Sequence, residues 1–221
     1  MERIRRDVLA MGGLVEQQLE MAIGALISGD AAAASRVAER EREVNQMEIA
    51  IDGECQRVLA TRTPAAVDLR LIIASIKAIT DLERIGDESR KISSIAMRLA
   101  GVERPADRYR EVKHLGLLVQ QIVHDSLDAF ARLDASAVSD IVGRDRVIDH
   151  EYESIQRQNI TFMMEDPRTI RRALDVMWVV RALERVGDHA KNICEHVAYI
   201  VHGKDVRHSK GAGPVGNASQ S

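Results

Sequence analysis

Apolar residues along this chain recur at helical rather than strand spacing. Ile4, Val8, Met11, Val15, Ala22 and Leu26 share one face of a first segment, and Val37, Val44, Ile51 and Val58 one face of a second, the three- and four-residue steps of an amphipathic helix. Gly29-Asp30 separates the two. Thr61-Arg62-Thr63-Pro64 closes the second and places Pro64 near the start of a third helix, which reaches about Ala100-Gly101. Beyond the linker Gly101 to Pro105 the pattern predicts a fourth helix over roughly Arg108 to Arg132 and a fifth over Ala135 to Met164. A sixth runs from near Asp166-Pro167 to near Gly203. Alternating strand patterns are scarce, so the fold is expected to be all-α.

The third and sixth segments share a block: Leu82-Glu83-Arg84-Ile85-Gly86-Asp87 returns as Leu183-Glu184-Arg185-Val186-Gly187-Asp188. The second and fifth correspond too, with Glu41, Val44, Asn45 and Glu48 where Asp145, Ile148, Asp149 and Tyr152 stand. A unit of three helices used twice predicts two tandem antiparallel three-helix bundles joined by a short hinge, residues 1–101 and 106–203. The Gly- and Ser-rich tail, 209–221, is too polar to fold and is expected to be disordered.

Each block carries a Glu and an Asp four residues apart, neighbours on one helical face. At about 100° per residue, Val179, Leu183, Val186, Ala190 and Ile193 form the core stripe of the sixth helix, with Glu184, Asp188 and Asn192 nearly opposite. The third helix projects alike, its Glu83, Asp87 and Lys91 facing away from Ala78, Leu82, Ile85 and Ile92. Both acidic pairs are therefore expected on outward faces, while Asp145 and Asp149 flank the apolar stripe of the fifth helix. Such pairs repel unless neutralised, either by the adjoining Arg84 and Arg185 or by a bound cation. Oxygen-only donors suit Mg²⁺, Mn²⁺ or Ca²⁺ and also serve iron. One such pair is ordinary on a solvated helix; its duplication in matching context is what singles it out.

Gly86 and Gly187 cost helix stability relative to Ala, and close approach of another helix is the expected compensation. His189 and His196 have Glu88 and Ile95 as their counterparts in the third helix, and are expected to be solvated or partner-facing. Trp178 is expected to pack between helices, and Cys55 to be buried and inert.

Composition narrows the function. Apolar residues reach 45% with only 3% aromatics, the mixture of a helix bundle. The net charge of −3, with Lys and Arg interspersed among acids, provides no basic stripe for a nucleic-acid backbone. The only cysteines, Cys55 and Cys194, lie in different halves without CxxC spacing, which indicates neither a disulfide framework nor a zinc knuckle. No stretch is apolar enough to cross a bilayer, and no signal segment is visible. A cytoplasmic protein that meets the membrane only through partners is expected. No nucleophile, base and oxyanion donors are arrayed together. The alternative is a metal-dependent phosphoester hydrolase built on the clustered carboxylates. A ferritin-like iron site would need Glu-x-x-His motifs in the bundle core, and the blocks have none.

The segment Pro64 to Arg70 leading into Asp81 to Asp87, and the segment Glu165 to Arg171 leading into Leu183 to Ile193, resemble the two repeats of the PhoU family over residues 1 to about 208. The resemblance implies two three-helix bundles, a homodimer or higher oligomer, and a cytoplasmic regulator without catalysis. That regulator damps phosphate-starvation signalling by linking the ATPase of a phosphate-importing ABC transporter to a sensor histidine kinase. It also implies divalent or trivalent metal ions (magnesium, manganese, iron or zinc). Their ligands would be Glu83 and Asp87 in the first repeat and Glu184 and Asp188 in the second, with Asp145, Asp149 and Asn192 contributing. Lys91 stands where the second repeat has Asn192, and Asn45 where it has Asp149, so the second repeat is expected to hold metal more tightly.

Overall fold

The computed structural model of the chain describes residues 1–101 and 106–203. Six long helices appear in order: α1 (Glu2–Ser28), α2 (Ala31–Thr61), α3 (Ala66–Leu99), α4 (Ala106–Arg132), α5 (Val138–Glu165) and α6 (Ile170–His202). Short 3-10 turns at Ala135–Ala137 and Pro167–Thr169 lead into α5 and α6. No strand occurs among the described residues. The tail expected to be disordered, 209–221, lies outside them.

The breaks follow from local chemistry. Gly29 ends α1 in the left-handed region at φ 78°, a conformation with no steric penalty for glycine. Asp30 then caps α2 by accepting a hydrogen bond from the Ala33 amide at 2.9 Å. Asp134 and Asp166 do the same for the two 3-10 turns. The turns displace the α-helical starts of α5 and α6 by about three residues from the expected ones.

Each half is an antiparallel bundle, α1 to α3 and α4 to α6, but the halves are not merely hinged. α3 packs along α6 and α1 along α4, and one buried apolar cluster runs through all six helices. Cross-pairs of Arg70 with Ile200, Asp81 with His189, and Arg98 with Asp175 show that α3 and α6 run antiparallel. A repeat offset that aligns Leu82 with Leu183 therefore places the halves about an approximate two-fold axis across this seam. Each fully buried Leu or Ile along it contributes about 1.5–3 kcal/mol relative to exposure.

α3 and α6 are buried on several sides, so a single core stripe describes them incompletely. Beyond the projected positions, α6 buries Ala182, Cys194, His196 and Ala198, and α3 buries Ser75, Glu88, Ser89 and Ser93. Cys55 is buried as expected, and desolvation raises the thiols of Cys55 and Cys194 to about 11 and about 12, values that keep both unreactive. Trp178 departs from expectation: it is 61% exposed, not packed between helices.

The block glycines sit at close approaches. A Cβ on Gly86 would lie 3.0 Å from Oε1 of the fully buried Gln18 on α1, whose Nε2 donates to the Gly86 carbonyl at 3.2 Å. A Cβ on Gly187 would meet Ile148 on α5, its Cδ1 at 3.3 Å and its Cγ2 at 3.4 Å, with Asp145 Oδ1 at 3.8 Å. Gly86→Ala is expected to destabilise by about 1–2 kcal/mol, because the buried amide must shift and lose its bond. Gly187→Ala is expected within about 1 kcal/mol of neutral, its gain in helix propensity offsetting a small movement of Ile148. Urea unfolding of both variants checks this, and equal losses would contradict it.

Candidate functional site

In the first half, α3 turns Glu83 and Asp87 toward Glu41 and Glu48 of α2. The acids are not on an open face: the Glu83 and Asp87 side chains are mostly covered, since α3 leaves only a narrow strip between its neighbours. Burial raises the Glu83 carboxyl above its ordinary value, and Asp87 and Glu41 add repulsion against Arg84. Glu48 is raised likewise, by burial first and then by Glu83. The balancing charge comes from arginines. Arg90 forms ion pairs with Glu41 at 2.6 Å and Asp87 at 3.8 Å, and Arg84 lies 3.5 Å from Glu83.

In the second half the counter-charge is an ammonium. Lys191 donates to Asp145 at 2.5 Å and Asp188 at 2.6 Å, tying α5 to α6. Asp145 is only 4% exposed, so an unpaired charge there would be costly. Burial alone would lower the Lys191 ammonium; the bonds to Asp145 and Asp188 outweigh it and raise the group above its ordinary value. Glu184 is raised by burial and by Asp188 and Asp149, and Asp149, on the exposed edge of α5, by burial and by Asp145 and Asp188.

Four of the expected second-repeat positions, Asp145, Asp149, Glu184 and Asp188, thus form one electrostatic cluster, and Glu83 and Asp87 another. Asn192 joins neither: its amide donates to Asp81 at 3.2 Å across the seam. Lys91 likewise turns away from Glu83 and Asp87 and donates to the buried Glu88 at 3.0 Å. The Lys91 and Asn192 difference, on which unequal metal sites were expected, therefore does not act on either carboxylate pair; Arg90 and Lys191 do. The oxygen donors suit a hard cation in type. Among the described residues, however, no three His, Cys, Asp or Glu side chains converge as ligands. A cation would enter the second cluster by displacing Lys191 and the first by displacing Arg90.

A further constellation joins the halves. Asp81 of α3 accepts from His189 Nδ1 and His196 Nε2, both at 2.9 Å, and from Asn192. Burial acts to raise the Asp81 carboxyl, and the three hydrogen bonds outweigh it and hold the carboxyl below its ordinary value. The histidines expected to be solvated or partner-facing are instead partly or fully buried clamps. Positions 189, 192 and 196 do fall on one helical face, a signal that comparison with the third helix conceals because the cluster has no repeat counterpart. Glu88, aligned with His189, pairs with Arg185 at 2.9 Å instead.

These shifts oppose one another in acid. A carboxyl raised in the folded state binds more protons there than when unfolded, so stability falls as pH rises through its titration; this covers Glu48, Glu83, Asp149 and Glu184. Asp81, being lowered, contributes stability above its unfolded value of about 3.8 that is lost as pH falls below it. Denaturant unfolding is expected to show stability holding or rising from neutral pH toward the ordinary carboxylate range, then collapsing below it. Glu184→Gln should flatten the first limb and Asp81→Asn the second; a profile unchanged by either would contradict the assignment.

The PhoU domain model matches residues 8–96 and 112–197, one copy on each bundle. A Pseudomonas aeruginosa protein described as a phosphate-specific transport system accessory protein PhoU homolog is 50% identical over 208 residues, covering 94% of this chain and 86% of its own length. The crystal structure of PhoU from Pseudomonas aeruginosa superposes with a TM-score of 0.89 at 49% identity, covering 92% of this chain and 97% of that one. The phosphate transport system regulatory protein PhoU from Streptococcus pneumoniae gives a TM-score of 0.86 at 29% identity, covering 93% and 96%. Two family matches in register with the two bundles, and half of all positions shared with a relative along nearly the full chain, make this protein a member of the PhoU family.

Proposed function

We propose that the chain is a non-enzymatic regulator of phosphate uptake. It acts in the cytoplasm as a homodimer and restrains phosphate-starvation signalling by linking the ATPase of a phosphate ABC transporter to a sensor histidine kinase. The observation that carries this reading is the 50% identity, over nearly the whole chain, to a relative described as a transport accessory protein. A scaffold role also suits the chemistry. Both cysteines are buried, the carboxylate clusters carry internal counter-charges, and no helix of the described residues is long and apolar enough to cross a membrane. Exposed Ile49 on α2 and Val147 and Ile160 on α5 offer apolar surface for a second copy. Nothing observed favours the hydrolase alternative.

Deletion of the gene is expected to derepress phosphate-starvation promoters in phosphate-rich medium, read with a transcriptional reporter; unchanged expression would sink the reading.

The carboxylate clusters, in this reading, also take a hard cation in competition with their internal cations. Lys191→Met is expected to strengthen Mn²⁺ binding at the second repeat by about tenfold, the scale of one charge interaction, as measured by calorimetric titration. Without metal the same variant should lose about 3 kcal/mol of stability, because Asp145 is left buried and unpaired. Unchanged Mn²⁺ affinity would count against competition at this site.

A further inference from the structure

The two halves of the α3/α6 seam are finished differently. On one side of the axis Asp81 is held by His189, Asn192 and His196, Lys77 lies 5.7 Å from the ring centre of Tyr199, and Arg70 donates to the Ile200 carbonyl. The repeat offset maps Asp81 onto Ala182, Lys77 onto Trp178, and Asn192 back onto Lys91. On that other side the seam is an open cleft of about 430 Å³, lined by Glu88, Lys91, Arg98, Trp178, Ala182 and Arg185 among others. Arg98 also lines a second cleft, of about 480 Å³, with Leu99, Arg168, Arg171, Arg172 and Asp175.

The two clefts form a groove that follows α6 from Arg168 to Arg185, roughly 25 Å at the helical rise. Eight Lys and Arg side chains line it; Lys91 and Arg185 share Glu88, Arg98 pairs with Asp175, Arg90 with Glu41 and Asp87, and Arg168 with Asp166. Arg171 and Arg181 are exposed and form no ion pair among the described residues. Alongside them Ile170, Leu174 and Trp178, one turn apart in succession, are all exposed.

We propose that this groove is the docking site for an acidic amphipathic helix of a partner protein, whose apolar face rests on Leu174 and Trp178 and whose carboxylates meet the arginines. A cationic channel beside an apolar stripe at helical spacing matches a helix laid in a groove. The length exceeds what one small anion would cover, and a flat membrane does not reach a recess between two helices. The inference rests on the reading that the chain acts by binding other proteins, and names the surface that does so.

The test uses the full-length protein in phosphate-replete cells, with a benzophenone-bearing residue replacing Leu174 and, as a control, Ile49 on α2. A protein adduct at position 174 whose cross-linked peptide is net acidic supports the proposal, provided the double variant Arg171→Glu with Arg181→Glu cuts its yield at least tenfold. Arg171→Lys with Arg181→Lys should retain the adduct. Both variants are checked by thermal unfolding, and the control adduct at position 49 should not change. A lipid adduct, an adduct with a second copy of this chain, a basic or neutral peptide, or no adduct at all overturns it, as does an acidic-peptide adduct that survives charge reversal. Failure of the regulator reading is separable: an acidic-peptide adduct lost on charge reversal would uphold the groove even if the deletion left phosphate-starvation promoters unchanged. Derepression in the deletion strain, with full repression and no adduct change in the charge-reversed strain, would remove the groove alone.

Discussion

The structure depends on the burial of α3 against α6. These helices have neighbours on both flanks as well as each other, so little of their surface remains for the solvation of charge. Every ionisable group they carry must therefore be neutralised nearby or left on a narrow outer strip. Asp81 and Glu88 of α3 show the first outcome, as does Asp145 of α5 where it faces α6, each nearly enclosed and each bonded to cations or imidazoles reached from another helix. Such pairs add little net stability over an apolar core, because desolvation consumes most of the attraction, but removing one partner is costly. Their effect is to fix register: α3 can slide along α6 only by breaking the Asp81 and Glu88 contacts together.

The carboxylate clusters follow the same rule one layer out. In the second half a lysine one turn from Asp188 reaches between helices, whereas the first half relies on Arg90, which is more exposed than Lys191. The acids Glu83 and Glu184 remain raised in both, by burial first and then by the neighbouring Asp87 and Asp188.

Much of this was legible in the sequence. Apolar spacing located all six helices, because long amphipathic segments carry many concordant positions, and the duplicated block revealed the repeat. The block glycines read correctly as close approaches. What sequence projection missed lies at the seam. Reducing α6 to one apolar stripe assumes one buried face, and α6 has more than one; His189, Asn192 and His196 were placed in solvent or toward ligands for that reason. Trp178 failed in the opposite direction, since an aromatic beside Val179 and Val180 is usually core, and here the two valines are buried while the indole is not. Likewise, arginines that look dispersed among acids along the chain gather in one groove once α3 lies against α6.

Duplication makes that groove informative. Two copies of one unit about an approximate axis begin with equivalent seam ends, so every difference between the ends arose after the copies diverged. One end has an internal carboxylate, two imidazoles and a Lys–Tyr contact that fill it. The other has alanine at the carboxylate position and the cation and the aromatic interchanged, so that Arg98 and Trp178 face an open cleft. A packing defect would be expected to close with small apolar side chains, as cores do. Arg171 and Arg181, exposed without an ion pair beside a recess with an exposed indole, do not relieve a defect, and an anionic surface supplied from outside would balance them. The asymmetry is thus better accounted for by something that binds than by something that was left unfilled.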